Sequence, residues 1–256
     1  MAEAFKPPLV VMMLTELTSG RLTVASKTLL WLCATGGEAE HGRELSTGEA
    51  AVYALLRTPK RRRDWLLGRR TAKRLIQIAL QDRGYDLRPE EIVILSHPDG
   101  WPQVSLPALG RAAPPLTLTI SHAAGRAFCA VAFGADIPLG ADLEVIQPRS
   151  PGFIADYFTA DERDLVAAAG DTRPTFVNAI WSGKEAALKA IRRGLAEDTR
   201  LVTCLPLTDG DEGSWRPLRY RWEAVGRALP PLEGWWREQG GFVLTLAVSS
   251  SIGVAL

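Results

Sequence analysis

The segment 137–145 constrains the fold more than any other part of the sequence, because apolar and polar residues alternate along it. A β-strand has a side-chain period of two, so the odd-numbered residues of this segment face one way, and Asp142 and Glu144 face the other. The odd-numbered face is apolar and is expected to be buried. The sequence therefore predicts a strand that presents two neighbouring carboxylates on one side.

Two neighbouring carboxylates repel each other, and a shared divalent cation relieves that repulsion. Mg²⁺ suits such a site because it takes oxygen ligands, keeps several waters and usually works with substrate phosphates. A third acid, Glu185, lies on a helix that the pattern predicts for residues 173–193, with Gly194 as its stop. Lys189 follows one turn later and would complete a phosphate-handling site.

These residues resemble the signature of the 4′-phosphopantetheinyl transferases of the Sfp type. The acidic strand supplies an Asp-x-Glu motif at 142–144, and the segment 181–189 reads Trp-Ser-Gly-Lys-Glu-Ala-Ala-Leu-Lys. Upstream, the Ile-Ser-His sequence at 120–122 and the basic segment 61–69 are similar to two further motifs of that family. The four matches stand in the family's order and extend from about residue 60 to residue 195.

The resemblance implies an α+β fold. It would be a pseudo-dimer of two similar α+β halves, residues 1–136 and 137–256, with the active site in the cleft between them. The implied reaction transfers the 4′-phosphopantetheine arm of coenzyme A to a serine of an apo acyl or peptidyl carrier protein and releases adenosine 3′,5′-bisphosphate. The implied metal is Mg²⁺, with Mn²⁺ as the alternative.

The resemblance also implies roles for individual residues. Asp142, Glu144 and Glu185 would bind the metal, Glu185 would in addition take the proton of the attacking hydroxyl, and Lys189 would stabilise the pyrophosphate. The implied coenzyme A site contains Arg61, Arg69, Gly100, Pro102, Ser121, His122, Asp142 and Lys189. Within it, Arg61, Arg69 and His122 are expected to contact the 3′-phosphate.

The chain departs from the family at one point. The loop before the Ser-His motif usually contains Gly-Lys-Pro or Gly-Arg-Pro, whereas here the triplet is Gly100, Trp101 and Pro102. A cation that contacts phosphate is therefore missing, and stacking of Trp101 on the adenine is one hypothesis for what replaces it. Lys184 points about 100° away from Glu185 on the helix and is expected to be structural.

The basic segment 60–74 leaves alternative functions open. It carries eight Lys or Arg residues and one Asp, so it is either a solvated helix face, a nucleic-acid surface or a coenzyme A site. A metal-dependent nuclease, a nucleic-acid-binding module and an inactive relative that only binds carrier proteins are the alternatives. The net charge of +1 does not favour nucleic acid, and the apolar stripe of Trp65, Ala72, Ile76 and Ala79 predicts that the helix is docked on a core.

The remaining pattern indicates a cytoplasmic monomer with no membrane or nucleic-acid partner. Cys33, Cys129 and Cys204 are scattered in apolar surroundings and are expected to be buried thiols. The apolar run 7–14 is short for a signal-peptide core. The uncharged segment 240–256 is interrupted by serines and a glycine, so strands are predicted there and not a membrane span, which needs ~20 apolar residues.

The local signals predict the other elements. Helix is expected over residues 46–83, with Gly84 ending it, and a turn is expected at 97–100. Strands are expected from 115 to 145 and from 203 to 256. Thr159 begins a capping-box sequence and therefore predicts the start of a further helix.

Overall fold

The computed structural model describes residues 15–24, 27–36, 44–193, 197–209, 213–223 and 229–249. The α-helices within these residues are α1 (Thr47–Ala54), α2 (Pro59–Gln81), α3 (Pro151–Tyr157), α4 (Ala160–Ala168) and α5 (Arg173–Ala190). The strands are β1 (Thr15–Val24), β2 (Lys27–Thr35), β3 (Val93–Ser96), β4 (Pro102–Ser105), β5 (Leu116–Ala123), β6 (Arg126–Phe133), β7 (Leu139–Val145), β8 (Val202–Pro206), β9 (Arg216–Trp222), β10 (Leu232–Gln239) and β11 (Phe242–Ser249).

The strands form two larger antiparallel sheets and one hairpin. The first sheet has the order β1-β2-β6-β5, the second has the order β7-β11-β10-β9-β8, and β3 pairs with β4. Helix α2 packs against the first sheet and α5 against the second. The predicted mixed α+β class is therefore confirmed, whereas the division into two similar halves at residue 136 stays a prediction.

Helix α2 is docked by one apolar side, as its sequence pattern predicts. Ala72, Ile76 and Ala79 are buried and belong to one core cluster with residues of the first sheet. Trp65 is only half-buried and packs beside Tyr53 of α1, with ring centroids 5.9 Å apart. The apolar stripe of this helix thus faces the sheet along its middle and reaches the surface near its N-terminal end.

Helix α5 lies unusually close to strand β7 because the residues between them are small. A Cβ atom at Gly140 would overlap the carbonyl oxygen of Ala186, so only glycine fits at this crossing. Ala186 and Ala190 of α5 pack with Ala247 of β11 in the same layer. This close approach brings the side chains of α5 over the acidic face of β7.

Three hydroxyl groups connect the two sheets where their edge strands meet. Thr117, Thr119 and Ser121 alternate along β5 and therefore share one face. The hydroxyl oxygen of Thr117 accepts from the N–H of Ile137 at 3.1 Å, and that of Thr119 accepts from the N–H of Ala141, also at 3.1 Å. Ser121 is the third of the row, and its hydroxyl donates to a side chain of β7. The edges of β5 and β7 are thus joined by side-chain hydrogen bonds.

The core also runs continuously beneath this junction. Leu29, Trp31 and Phe128 of the first sheet belong to the same buried cluster as Leu139 and Leu143 of β7. Burial of such side chains contributes about 1.5–3 kcal/mol each. The two sheets are therefore held together by apolar packing as well as by hydroxyl groups.

Two helix predictions were wrong in their limits. The helix expected over residues 46–83 is two helices, because Pro59 opens α2 as its first residue and Thr58 is an extended N-cap. Helix α2 ends at Gln81, whereas the sequence pattern places the end at Gly84. The helix expected over residues 173–193 ends at Ala190, and its expected stop at Gly194 lies outside the described residues.

Several other local predictions are confirmed. Thr159 is the N-cap of α4 and forms a capping box with Glu162, and the N–H of Gly100 donates to the carbonyl of His97 in the predicted turn. Strands β5 and β6 fall within residues 115–145, as predicted. Of the segment 203–256, strands β9, β10 and β11 are confirmed, while residues 250–256 lie outside the described residues.

The predictions for the cysteines and for the apolar segments have different outcomes. Cys33, Cys129 and Cys204 are buried, as predicted. Over the residues that the structure describes, none of the helices has the length and apolar character needed to cross a membrane. The apolar run 7–14 lies outside the described residues.

Candidate active site

Asp142 is the centre of a buried polar cluster between β5, β7 and α5. It is only 2% exposed. Its Oδ1 atom accepts from the ammonium of Lys189 at 2.6 Å and from the hydroxyl of Ser121 at 2.8 Å. Its Oδ2 atom is buried and has no hydrogen-bond partner among the described residues. Because a buried carboxylate oxygen is costly to leave unpaired, this atom marks a place where a further positive or donating group fits.

Lys189 lies between two acids on the helix side of the cluster. Its ammonium is 3.6 Å from Oε2 of Glu185, one turn earlier on α5, in addition to its contact with Asp142. Burial lowers the pKa of Lys189, but attraction to Asp142 and Glu185 outweighs burial and leaves the pKa raised. Lys189 is therefore a fixed positive charge at neutral pH.

Glu185 has a strongly perturbed acidity. Burial raises its pKa, and repulsion from Asp142 adds to the rise, so that the pKa reaches about 7 in spite of the opposing charge of Lys189. A carboxyl with a pKa near neutrality exchanges a proton readily at physiological pH. Glu185 therefore has the acidity that a general base requires.

Glu144 is held in place through both of its carboxylate oxygens. The indole N–H of Trp181 donates to Oε1 at 3.1 Å, and the guanidinium of Arg149 donates to Oε2 at 2.8 Å. Asn178 in turn accepts from Nε of Arg149 at 3.0 Å. Burial raises the pKa of Glu144, the negative charge of Asp142 adds to the rise, and Arg149 opposes it. Arg149 is a site residue that sequence reasoning missed.

The predicted alternation of the acidic strand is confirmed by the burial of its apolar face. Leu139, Ala141 and Leu143 are buried in the shared core, as expected. The acidic face is not open, because α5 covers it and buries Asp142. In the parts of the chain that the structure describes, no three His, Cys, Asp or Glu side chains are grouped as metal ligands would be, and the ammonium of Lys189 lies against Asp142 instead.

A cavity of about 720 Å³ opens beside this cluster. Lys189 lines it together with Gly100 and Pro102, so the structure brings these three predicted residues to one space. Trp101 lines it as well and stacks on His97, with ring centroids 3.8 Å apart. Two further cations in the wall, Arg192 and Arg193, were not predicted from the sequence.

The residues predicted for the 3′-phosphate are placed differently from one another. His122 is exposed, and its ring lies beside Gly68 of α2. Arg61 is exposed near the N-terminus of the same helix. Arg69 is 7% exposed, and its guanidinium lies over the ring of Trp65, 4.7 Å from the centroid.

Burial lowers the pKa of Arg69, and the nearby charge of Glu49 opposes this effect. Nε of Arg69 lies 4.0 Å from Oε1 of Glu49. Binding of a phosphate by Arg69 would thus compete with an acid that is already close. The assignments of Arg61, Arg69 and His122 stay predictions.

The basic segment 60–74 is not a continuous basic surface. Arg69, Arg70 and Lys73 are buried, and Lys73 forms a 2.6 Å ion pair with the fully buried Glu49. Three of the eight basic side chains therefore belong to the packing of α1 and α2. The charges that face solvent are concentrated at the N-terminal end of α2.

Lys184 has a structural environment, in agreement with the role expected for it. It is fully buried and forms a 2.8 Å ion pair with the buried Glu162 of α4. Its ammonium also donates to the carbonyls of Thr199 and Val202. These hydrogen bonds and the ion pair tie α5 to neighbouring backbone and to α4.

Comparison with known proteins finds similarity in the segment that contains these residues. Residues 138–220, which contain Asp142, Glu144, Glu185 and Lys189, match the model of the 4′-phosphopantetheinyl transferase superfamily. The chain is also 28% identical over 127 residues to a Bacillus pumilus protein named 4′-phosphopantetheinyl transferase psf-1, a match that covers 49% of this chain and 51% of that relative. The chain thus spans about half the length of that relative. Both matches confirm the resemblance predicted from the sequence, and they identify the chain as similar to the 4′-phosphopantetheinyl transferases.

Proposed function

We propose that the protein transfers the 4′-phosphopantetheine arm of coenzyme A to a serine of an apo acyl or peptidyl carrier protein. The observation that carries this proposal is the position of Lys189. Its ammonium is held between Asp142 and Glu185, and Lys189 is also one of the residues that line the 720 Å³ cavity. In phosphoryl transfer to a hydroxyl, a fixed cation can stabilise the developing charge and a carboxyl of raised pKa can accept the proton. The match to the transferase superfamily supports the same reaction.

In the proposed reaction, the serine oxygen of the carrier protein attacks the phosphorus that bears the pantetheine arm. A new P–O bond forms to the serine, and the P–O bond to the 5′-phosphate of the nucleotide breaks. Glu185 would accept the serine proton as general base, and in the metal-free site its pKa is raised to about 7 by burial and by repulsion from Asp142. The leaving group is adenosine 3′,5′-bisphosphate, and Lys189 stabilises the charge that develops on it.

Asp142, Glu144 and Glu185 would bind Mg²⁺, with Mn²⁺ as the alternative, because carboxylate oxygens are the ligands that these ions prefer, although the three side chains are not grouped around one point among the described residues. The buried Oδ2 atom of Asp142, which has no partner among the described residues, supports the fit. When bound, the ion would supply positive charge at the pyrophosphate. Arg149 and Trp181 would keep the carboxylate of Glu144 oriented.

The proposal includes the wider assignments made from the sequence. The chain would be a cytoplasmic monomer in which residues 1–136 and 137–256 form the two halves of a pseudo-dimer around the cleft. Arg61, Arg69 and His122 would contact the 3′-phosphate of coenzyme A. The burial of Arg70 and Lys73 in ion pairs with Glu44 and Glu49 supports the transferase over a nucleic-acid-binding module, because those two charges are engaged inside the fold.

A transfer assay tests the proposal. The protein is incubated with coenzyme A, Mg²⁺ and a panel of apo carrier proteins, and released adenosine 3′,5′-bisphosphate is measured by chromatography. We expect release that requires both the carrier protein and its acceptor serine, and we expect Asp142→Asn to abolish it. A carrier protein whose serine is replaced by alanine is the matched control. Absence of release with every carrier of the panel, or release that persists with the serine-free carrier, would contradict the proposed function.

A further inference from the structure

The C-terminal end of helix α5 contains an arginine where the backbone favours glycine. Arg192 has φ 58°, in the left-handed region that residues with a side chain rarely adopt. Its N–H donates to the carbonyl of Lys189, and the N–H of Arg193 donates to the carbonyl of Leu188, both at 3.0 Å. This pair of hydrogen bonds is the Schellman motif, in which the residue at the position of Arg192 is usually glycine. Arg192 therefore occupies a position where the backbone conformation favours glycine. The contacts of its side chain give a reason for an arginine there.

The guanidinium of Arg192 is fixed in the wall of the cavity by two neighbours. It lies over the ring of Trp101, 4.8 Å from the centroid, and donates to Oδ1 of Asp136 at 2.7 Å. Trp101 is itself fixed by its stack on His97. Asp136 is 76% exposed, so water screens this ion pair and a stronger anion can replace the carboxylate.

We infer that Arg192 is an anion-binding residue of the cavity, where it contacts a phosphate group of the nucleotide from its position on Trp101. Lys189 and Arg192 are one turn apart at the end of α5 and line the same space, so a ligand with phosphates can engage both. A planar guanidinium with several N–H donors suits phosphate oxygens. Its contact with an indole ring restricts its conformations before the ligand arrives.

The inference accounts for the departure at the Gly100, Trp101 and Pro102 triplet. The loop lacks a cation of its own at position 101. The guanidinium of Arg192, two residues after the end of α5, lies over the indole of Trp101. The positive charge at this part of the cavity wall therefore comes from Arg192. Trp101 thereby positions Arg192. The identity of the ligand as coenzyme A rests on the proposed function, whereas the role of Arg192 in binding phosphate does not.

Calorimetric titration of the full chain, without divalent ions, tests this assignment. The informative variant is Arg192→Gly, because glycine suits φ 58° and removes the guanidinium without straining the helix end. Arg192→Lys keeps the charge but lacks the planar group. Arg21→Ala is the matched control, because Arg21 also forms a short pair with an exposed acid, Asp82, but belongs to strand β1. The ligands are coenzyme A and, as a probe that contains no nucleoside, inorganic pyrophosphate.

We expect Arg192→Gly to weaken coenzyme A and pyrophosphate binding by about tenfold or more, the effect of losing one charge-assisted contact. Arg192→Lys should fall between the wild type and Arg192→Gly, Arg21→Ala should match the wild type, and the melting temperature of Arg192→Gly should stay at or above that of the wild type. Affinities of Arg192→Gly within about twofold of wild type for both ligands would overturn the inference.

The two proposals fail in different ways. If the wild type binds pyrophosphate but not coenzyme A, and still fails to bind coenzyme A when Mg²⁺ is added, the proposed function is wrong, and the pyrophosphate affinities alone then decide the role of Arg192. If the wild type binds neither ligand, the assignment of Arg192 is overturned as well. If the wild type binds coenzyme A and Arg192→Gly binds it equally well, only the inference about Arg192 fails.

Discussion

Replacing Glu185 by glutamine should stabilise the metal-free protein, although Glu185 is proposed to be essential for transfer. Burial and repulsion from Asp142 raise the pKa of Glu185 from its ordinary value of 4.5 to about 7. At about 1.36 kcal/mol per pKa unit, ionisation of Glu185 costs about 3 kcal/mol more in the native state than in the unfolded state. Glutamine keeps the shape of the side chain and removes that charge, so Glu185→Gln should gain about 2–4 kcal/mol over the wild type above pH 7.

The sign of the pH dependence follows from the same pKa. Between pH 4.5 and about 7, the native state keeps the proton of Glu185 while the unfolded state loses it, so the native state binds more protons. The contribution of Glu185 to the stability of the wild type should therefore fall as the pH rises through this interval and level off above it. The gain of Glu185→Gln over the wild type should be near zero below pH 4.5 and largest above pH 7.

Urea unfolding in EDTA at several pH values measures this difference. Glu233→Gln is the matched control, since Glu233 is exposed on β10 and its replacement should change stability by less than about 0.5 kcal/mol. For a chain of this length, each kcal/mol shifts the melting temperature by about 2–4 °C. If Glu185→Gln is less stable than the wild type at pH 8, or if its gain in stability does not depend on pH, the pKa of Glu185 is not raised in the native state. Either result would refute the reasoning.

Three further substitutions test the parts of the fold that position the site. Gly140→Ala should cost about 1–3 kcal/mol or more in urea unfolding, because the added Cβ overlaps the carbonyl oxygen of Ala186; an unchanged stability would show that α5 does not cross β7 this closely. Lys184→Met should cost about 3–5 kcal/mol by the same measurement, because it leaves Glu162 buried without its cation, and a cost below about 1 kcal/mol would contradict the buried pair. Arg61→Gln should weaken coenzyme A by about tenfold and leave dephospho-coenzyme A unchanged in calorimetry, whereas equal losses would remove Arg61 from the 3′-phosphate site.

Much of the cluster around Asp142 could be predicted because its members follow simple periodicities. The period of two in β7 places Leu139 and Leu143 in the core and directs Asp142 and Glu144 away from it. The spacing of four residues places Glu185 and Lys189 on one side of α5, where they form an ion pair. What these patterns do not contain is the distance between β7 and α5, which depends on Gly140 and decides that Asp142 is buried.

Other features depend on how loops and strands are placed against each other and could not be read from the strand and helix periods. Arg149 lies five residues after Glu144, beyond the end of β7, and donates to it at 2.8 Å, a contact that neither period predicts. In the sequence, Thr117 and Thr119 are ordinary strand residues. Their hydroxyl groups gain a role only because β5 lies at the edge of β7, where they accept from backbone N–H groups. The sequence pattern predicts the helix stop at Gly194, so it gives no reason to single out Arg192.

The central claim is that Glu185 acts as the base in transfer of phosphopantetheine to a carrier protein, and the rate of a single turnover tests it most directly. Wild type and Glu185→Gln are each mixed in excess with apo carrier protein, coenzyme A and Mg²⁺, and the mass of the carrier protein is followed with time. The account predicts that the wild type adds one phosphopantetheine group to the acceptor serine and that Glu185→Gln does so at least about 100-fold more slowly. A rate for Glu185→Gln within about threefold of the wild type, or no mass gain with the wild type, would contradict it.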